Sequence, residues 1–417
     1  MPSARFLFLL VAVFVIKIIP PAFAGTETVI YNFCSLSNCA DGSGPYLGNL
    51  IFDSSGNLYG TTATGGKDNV GVVFELSPTG SGWKETVLHS FATDGKDGTK
   101  PYGSLVFDKV GNLYGTTTEG GLHGGGIVFE LSPGSTGKWT ETIIHQFYAN
   151  GTDGAAPYST PVFDSAGNLY GSTDGGGKNY VGSVYELIPG AKGKWTEKLL
   201  HSFADNGKDG WLAVAPVILD SNGNIYGTTL LGGSGGNGIV YELTLGTSGK
   251  WTEKILHSFA GNDEQGAESY GALAFNAVGD LVSTTDTGGK NNNGTVYELI
   301  PGSDGKWTEK VLHSFMTSRS TGEYPLANII LDGSGNMYST TQSGGNGAQS
   351  NGTIFEMSPN SKGGWSEKTL YQFCIAENCD DGSVPTSGVV FDKGGNMYGA
   401  TQGGGTGGGG VVYKFTK

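Results

Sequence analysis

A closed ring of seven four-stranded antiparallel sheets, an all-β seven-bladed β-propeller, is the fold this sequence predicts, and three observations predict it. The first is an internal repeat. A Gly-Asn-(Leu/Ile/Met)-Tyr motif puts its Asn at 57, 112, 168, 224, 336 and 396, and Asp280-Leu281-Val282 holds a degenerate copy. Trp83, Trp139, Trp195, Trp251, Trp307 and Trp365 keep the same step of about 56 residues. Second, each repeat holds four short runs rich in Val, Leu, Phe, Tyr and Thr, bounded by Gly, Asp, Asn and Ser, the pattern of strands between tight turns. Third, 74 glycines stand beside 19 Tyr, 20 Phe and 7 Trp with only 15% charged residues. That composition suits turn-rich sheet and argues against long solvated helices or a disordered chain. Four strands per unit at this period read as propeller blades.

Taken from the N-terminus, residues 1–24 read as a secretory signal peptide. Arg5 supplies the positive start, residues 6–19 the apolar stretch, and Ala22-Phe23-Ala24 the small-residue cleavage site. A stretch of 14 residues broken by Lys17 falls short of the roughly 20 that span a bilayer. The expected mature protein is therefore exported, periplasmic or extracellular, without a transmembrane anchor, and a monomer. Residues 25–417 form one domain, which seven units of 56 residues fill.

In the second unit the strands are expected at 101–108, 112–118, 126–132 and 139–147. The Trp-Thr-Glu-Lys run carries charges in mid-strand, as at Glu197-Lys198, and such charges protect an exposed edge. It is the outermost strand; the uncharged segment opening Pro101-Tyr102 is the innermost. Residues 27–33 copy the outer strand and residues 411–415 copy the third. The N-terminal strand should thus complete the seventh blade and close the ring.

Cys34 and Cys39 follow one outer strand, Cys374 and Cys379 another. In an exported chain an even cysteine count favours disulfides. Of three connectivities the local pairs Cys34–Cys39 and Cys374–Cys379 are expected, because the outer edges of neighbouring blades splay beyond disulfide reach.

The Gly-Asn-Leu-Tyr-Gly-Thr-Thr segment, a Gly-Gly loop and Gly-x-Val-(Phe/Tyr)-Glu-Leu, in tandem along the mature chain, resemble the GloVer tandem repeat of bacterial "choice-of-anchor" proteins. The Cys-x4-Cys insertion before Asp-Gly also resembles such repeats. The resemblance implies export and a propeller-like repeat domain, and no activity to carry onto particular residues. No sorting tail follows Lys417, so release is expected rather than surface attachment.

Without Arg5 and Lys17 the chain has 22 basic and 38 acidic residues, a net charge of −16, and Arg319 is its one arginine. No basic stripe exists for nucleic acid, and acidic polysaccharides would lack arginine forks. Neutral ligands or cations fit better.

A meander alternates its loops between two faces. The Asp-Gly-x-x-Pro-Tyr and Thr-Thr-x-x-Gly-Gly loops share one, the top, where the copies differ most; function favours variable loops on a rigid scaffold. His89, His145, His201, His257 and His313 occupy one repeat position and read as blade packing, whereas His123 stands off register. The Asp of Asp-x-x-Gly-Asn reads as turn chemistry. Asp97 and Asp209 sit in Asp-Gly loops that faintly resemble calcium loops without their ligand spacing; no other cofactor is implied. Tyr46, Tyr102, Tyr158 and Tyr270 share one position near the expected channel mouth, and Trp211 breaks the repeat. Such amphipathic rings suit sugar stacking.

Off-register top-face acids are Glu119, Asp174, Glu264, Glu268, Asp286 and Glu323, the last four residues beyond Arg319. Two carboxylates at the right separation support glycoside hydrolysis. The leading expectation is a non-catalytic binding propeller whose partner is a neutral glycan or cell-envelope ligand, with Trp211 and the four tyrosines as contacts. The alternatives are a carbohydrate-active enzyme, glycoside hydrolase or lyase, using Glu264, Glu268 or Glu323 with Arg319 or His123, and a protein-interaction scaffold.

Overall fold

In every blade the second strand is Leu-Tyr-Gly-Thr-Thr or a close variant, and it is wholly buried, as in Leu58–Thr62 and Leu113–Thr117. Buried hydroxyls need partners, and the two threonines find theirs in opposite directions. The second folds back on its own loop: Thr117 Oγ1 donates to Glu119 O at 3.0 Å and Thr229 Oγ1 to Leu231 O at 3.0 Å. The first reaches the next blade, with Thr61 Oγ1 on Gly103 O at 3.0 Å and Thr116 Oγ1 on Ser159 O at 2.9 Å. Gly60 must lack a side chain, because a Cβ there would lie 2.7 Å from the Phe74 ring.

The computed structural model describes residues 25–316, 321–345, 351–375 and 378–417; residues 1–24, where a signal peptide is expected, and Arg319 lie outside them. Seven four-stranded antiparallel sheets make up the described chain. In the second blade the order from the channel outward is Val106–Phe107, Leu113–Thr117, Ile127–Pro133 and Trp139–Gln146. Helix is confined to the single turns Ser37–Cys39 and Ala191–Gly193 among the described residues. In the seventh blade Thr26–Asn32 pairs antiparallel with Val411–Thr416, so the N-terminal strand closes the ring as expected. Ala400 takes the place of the first threonine there, and Gly388 N donates instead to Asn49 Oδ1 of the first blade at 2.7 Å.

The innermost strand is shorter than its uncharged run suggests. It pairs over two residues only, Val106–Phe107. The preceding segment turns its backbone sideways: Ser104 N donates to Thr160 Oγ1 of the next blade at 2.8 Å, and Gly103 O accepts from Thr61 of the previous one. Bonds between blades replace bonds within the sheet.

Neighbouring sheets pack face to face. The Phe of each His-Ser-Phe or equivalent run is fully buried, and it meets a third-strand ring of the next blade edge-on, as in Phe91–Phe129, Phe147–Tyr185 and Phe203–Tyr241 with centroids 5.1–5.3 Å apart. Burying each such ring is worth about 2–3 kcal/mol. The disulfides are the local pairs Cys34–Cys39 and Cys374–Cys379, with Cα separations of 3.9 and 4.1 Å.

On the outermost strand only half of the charge guards the edge. Lys198 is exposed, but Glu197 turns toward the neighbouring blade. There the glutamates meet the histidine and Asp-Gly aspartate of the preceding blade: His89 Nε2 lies 3.0 Å from Asp97 Oδ2 and 3.7 Å from Glu141 Oε1, and His201 lies 3.3 and 3.6 Å from Asp209 and Glu253. Desolvation, then the nearby aspartate, pushes Glu85 and Glu197 up to about 7 and Glu27 up to about 8. Glu141 and Glu253 rise to about 7 for the same first reason. Their Oε1 atoms and those of Glu85 and Glu197 are buried with no donor facing them. A proton on the glutamate turns an orphan acceptor into a donor, which is the arrangement a buried carboxyl group favours.

Candidate functional site

The top face follows one backbone rule with varied side chains. Each outer strand leads into a loop that pairs with the loop between the second and third strands, for example Gly98–Thr99 with Glu119–Gly120 and Gly210–Trp211 with Leu231–Gly232. In the first and seventh blades the pairing shrinks to the bridges Ser43–Thr64 and Ser383–Gly403. The next residue is left-handed in all seven: Gly44, Lys100, Ala156, Leu212, Glu268, Tyr324 and Val384 have φ between 53° and 63°. Only the first is glycine, and every other pays roughly 1–2 kcal/mol of strain.

This kink uses both backbone groups. Lys100 N donates to Val70 O of the previous blade, and Lys100 O accepts from Thr118 N; Glu268 repeats this with Asn237 O and Asp286 N. The residue so held on the second loop is Ala63, Thr118, Asp174, Leu230, Asp286, Gln342 or Gln402 around the ring. Two residues beyond the kink stands the tyrosine position: Tyr46, Tyr102, Tyr158, Val214, Tyr270, Leu326 and Thr386. The kink therefore presents rings of unlike side chains to the channel mouth.

A cavity of about 250 Å³ opens there, lined by Tyr46, Leu47, Tyr158, Asp174, Val214, Leu230 and Tyr270. A second hollow of about 390 Å³ adjoins it across Tyr46, Tyr102 and Tyr158. The rings brace one another, Tyr46 meeting Tyr102 edge-on at 5.0 Å and Tyr102 stacking on Tyr158 at 5.3 Å. A further hollow of about 20 Å³ shares Leu47, Tyr158, Val214 and Tyr270 with the first and lies beside Gly103, Ser159 and Asn328, room for about one water. Larger hollows of about 470 and 490 Å³ lie on the opposite face between adjacent Asp-x-x-Gly-Asn turns. Those turns repeat the same bonds: Asp53 Oδ1 accepts from the Ser55 and Asn57 N–H groups at 2.8 and 2.9 Å, and Asp164 accepts from its own turn alike.

The mouth is electrically unlike the rest of the inner ring. Burial, reinforced by Glu268, pushes Asp286 up to about 7, and its Oδ1 is buried without a donor. Burial alone raises Asp174, which makes no side-chain hydrogen bond among the described residues. Desolvation and then these carboxylates push Tyr158 and Tyr270 up to about 12, through Asp174 and Asp286 respectively. Tyr46 is raised by burial, Tyr102 and Asp286. The phenols therefore stay protonated.

The other sequence candidates scatter. Trp211 is half-buried on its ribbon, packed against Gly232, and lines neither mouth cavity. Glu264 is exposed, its N–H bonded to Asn262. Glu268 occupies the kink beside Asp286. Glu323 sits on the sixth-blade ribbon opposite Ser343, and Arg319 lies outside the described residues. His123 is exposed and rests on Tyr148 with centroids 4.2 Å apart.

Asp97 bonds its oxygens to His89, Ala92 N and Gly98 N at 3.0, 2.9 and 2.6 Å, and Asp209 repeats the pattern. With Glu141 and Glu253 the two sets bring one ligand atom each within 4.8 Å, close enough to share a metal ion. Yet in each set the histidine and aspartate atoms already bond to each other, and calcium would want six or more oxygens.

Composition and motif spacing leave Asp174 and Asp286 as two acids in a list. Aligning each repeat on its Thr-Thr pair puts both at the residue that follows, a position otherwise Ala, Thr, Leu or Gln, and that alignment is the signal that singles them out.

Among solved structures, the chain resembles the extracellular domain of a protein assigned as a one component system of B. thetaiotaomicron, at TM-score 0.52 and 11% identity over 94% of this chain and 40% of that one. An ancestral GH74 enzyme matches at TM-score 0.52 and 13% identity, over 89% of this chain and 51% of that one. A luciferin-regenerating enzyme matches at TM-score 0.44 and 16% identity over 75% and 90%. This chain thus spans about half or less of the first two, and the likeness shows the fold alone. No curated protein matches it. The Gloeobacter/Verrucomicrobia repeat matches three times, over residues 14–215, 135–331 and 213–417. Together these cover almost the whole chain, which belongs to the Gloeobacter/Verrucomicrobia repeat family.

Proposed function

We propose that the protein is an exported binding propeller that receives a glycan at its channel mouth and does no chemistry on it. The observation that carries this reading is the cavity of about 250 Å³ bounded by Tyr46, Tyr158 and Tyr270, at the place where the repeat's side chains diverge. Flat amphipathic rings offer sugar faces an apolar surface and sugar hydroxyls a phenol. The two disulfides support an oxidising, exported location. A glycan array probed with purified protein tests it. Tyr158→Ala and Tyr270→Ala should lower retention at least tenfold, while Trp211→Ala, off the cavity, should change it far less. Retention unchanged by both tyrosine variants would overturn the placement, and no retention of any glycan would leave protein contact through the blade edges as the better reading.

One observation favours hydrolysis as a second reading. Burial, then Glu268, pushes Asp286 up to about 7, and glycoside hydrolysis needs a general acid that keeps its proton near neutrality. Product analysis on every retained glycan decides it: release abolished by Asp286→Asn supports an enzyme, intact glycan supports binding alone.

A further inference from the structure

We infer that the bound glycan is a neutral polymer that runs from the channel mouth to the outer rim, where His123, Tyr148 and Tyr180 form a second stacking surface. The inference rests on the reading that a glycan binds at the mouth, and it adds a ligand class and a second site. Of the Phe, Trp, Tyr and His residues among the described ones, only these three are exposed. Tyr148 is 48% and Tyr180 61% exposed. All three belong to one junction, between the second and third blades. The His123 and Tyr148 ring centroids are 4.2 Å apart, and exposed Leu122 precedes the histidine. The Tyr180 hydroxyl stands 3.2 Å from where a Cβ on Gly151 would be, so its polar end lies over the loop that Tyr148 opens.

Neither tyrosine serves the fold. Tyr148 replaces the Ala92, Ala204 and Ala260 of three other blades. Tyr180 holds a left-handed φ of 61° where other blades have Asn69, Gly124, Gly236, Asn292 and Gly408, all left-handed too. Glycine and asparagine tolerate that conformation; a bulky ring does not. A strained ring kept in solvent gains nothing from burial, and strain of this kind gathers where ligands are held.

The loop of residues 148–158 joins rim to mouth. Tyr148 opens it, and Tyr158, which lines both mouth cavities, ends it. Its one charged residue, Asp153, is buried against His145 and the Tyr148 N–H, while Asn150 and Thr152 are exposed. The equivalent loops of other blades expose Asp94 and Lys96, Asp205 and Lys208, and Asp263 and Glu264. Lys178, two residues before Tyr180, is the exposed charge that flanks the strip. An uncharged strip with rings at both ends matches a neutral polysaccharide, whose sugar faces stack on the rings and whose hydroxyls meet the amide and hydroxyl between them. A charged peptide would find no run of counter-charges along it. A single sugar fits within the mouth; only a chain reaches both ends, and two linked contacts raise affinity beyond either alone.

Affinity electrophoresis of the whole protein through gels containing galactomannan, mixed-linkage β-glucan, dextran or amylose tests this. At least one polysaccharide should retard it, and Tyr148→Ala combined with Tyr180→Asn should weaken that binding at least tenfold. Both substitutions restore residues that other blades carry, so the fold should persist, and the asparagine should raise the urea midpoint by relieving the left-handed ring. Retardation lost in Tyr158→Ala with Tyr270→Ala, but unchanged in the rim variant, overturns the rim surface and leaves the mouth standing. Loss in the rim variant, with the mouth variant unchanged, supports the rim as a polysaccharide site and defeats the mouth reading. No retardation in any gel overturns the polymer, whether or not a glycan array retains short sugars at the mouth.

Discussion

Carboxyl groups with raised pKa gather in two regions, the outer blade junctions and the channel mouth, and the two differ in company and in repetition. At the junctions Glu85, Glu141, Glu197 and Glu253 face an aspartate and a tyrosine or histidine of the preceding blade, and Glu141 and Glu253 lie 3.7 and 3.6 Å from His89 and His201. At the mouth Asp174 is raised by burial alone and Asp286 by burial and then Glu268. Neither makes a side-chain hydrogen bond among the described residues, and the two acids occur in two blades only. Desolvation produces the same symptom in both places. A partner that can share the proton, repeated around the ring, marks a structural joint; an unpartnered acid where the repeat breaks marks a place for something else to bind.

The largest expected effect tests the junction half of this contrast. Glu27, Glu85, Glu141, Glu197, Glu253 and Glu367 hold protons more tightly folded than unfolded. Their contribution is therefore full below the unfolded value of 4.5 and is lost as pH rises toward 7–8. His89 and His201, raised chiefly by the aspartate hydrogen bond against desolvation, lose stability in the same direction. His313, lowered by burial to about 4, acts oppositely between 6.5 and 4, and the lowered Asp164, Asp220, Asp332 and Asp392 act oppositely only at lower pH still. Discounted for solvent screening to about 1 kcal/mol or less per glutamate, the protein should be on the order of 4 kcal/mol more stable at pH 5.5 than at pH 8.5. Urea unfolding at both pH values measures this, and a flat or rising profile would contradict the shared-proton junction. Glu141→Gln with Glu253→Gln should flatten part of the slope.

Next in size, Asp97→Ala should cost about 2–4 kcal/mol. It strands the N–H groups of Ala92 and Gly98 and the Nε2 of His89. Asp286→Asn should do the reverse at pH 8.5, stabilising by about 1 kcal/mol because it removes a desolvated charge with no partner, and should do little at pH 5.5. A loss from Asp286→Asn as large as that from Asp97→Ala would erase the distinction between the regions.

The ring was legible because its rules repeat. Trp83 and its counterparts, the Gly-Asn-Leu-Tyr turns and the outer-strand copy at residues 27–33 each state the same geometry several times, and the local cysteine pairs follow from where outer strands end. The mouth was only half legible. Tyr46, Tyr102, Tyr158 and Tyr270 share a register that reveals their common position, whereas Trp211 draws attention as an exception and yet lies off the cavity. A break in a repeat shows that a side chain is released from the scaffold, not which way it faces. The junction glutamates misled for a related reason: alternation along Trp195–Ser202 puts Lys198 in solvent and Glu197 against the next blade, and which blade lies beside it is tertiary information. The left-handed kink was hidden most completely, since Lys100, Ala156, Leu212, Glu268, Tyr324 and Val384 lack the glycine that usually announces it.

That kink gives the smallest effect and the sharpest control. Ala155 and Ala156 are adjacent, the first extended in the ribbon Gly154–Ala155 and the second left-handed at φ 53°. Glycine at 155 should lose about 0.5–1 kcal/mol through unfolded-chain entropy alone. Glycine at 156 carries the same entropic loss but relieves about 1–2 kcal/mol of left-handed strain, so Ala156→Gly should range from neutral to about 1.5 kcal/mol more stable. Urea midpoints of the two variants give the difference directly. If both lose equally, the kink is unstrained and its varied side chains need no explanation beyond drift. If they diverge as expected, most blades hold a strained non-glycine residue at the mouth against the interest of stability, and that cost is borne where Asp174, Tyr46, Tyr158 and Tyr270 line one cavity.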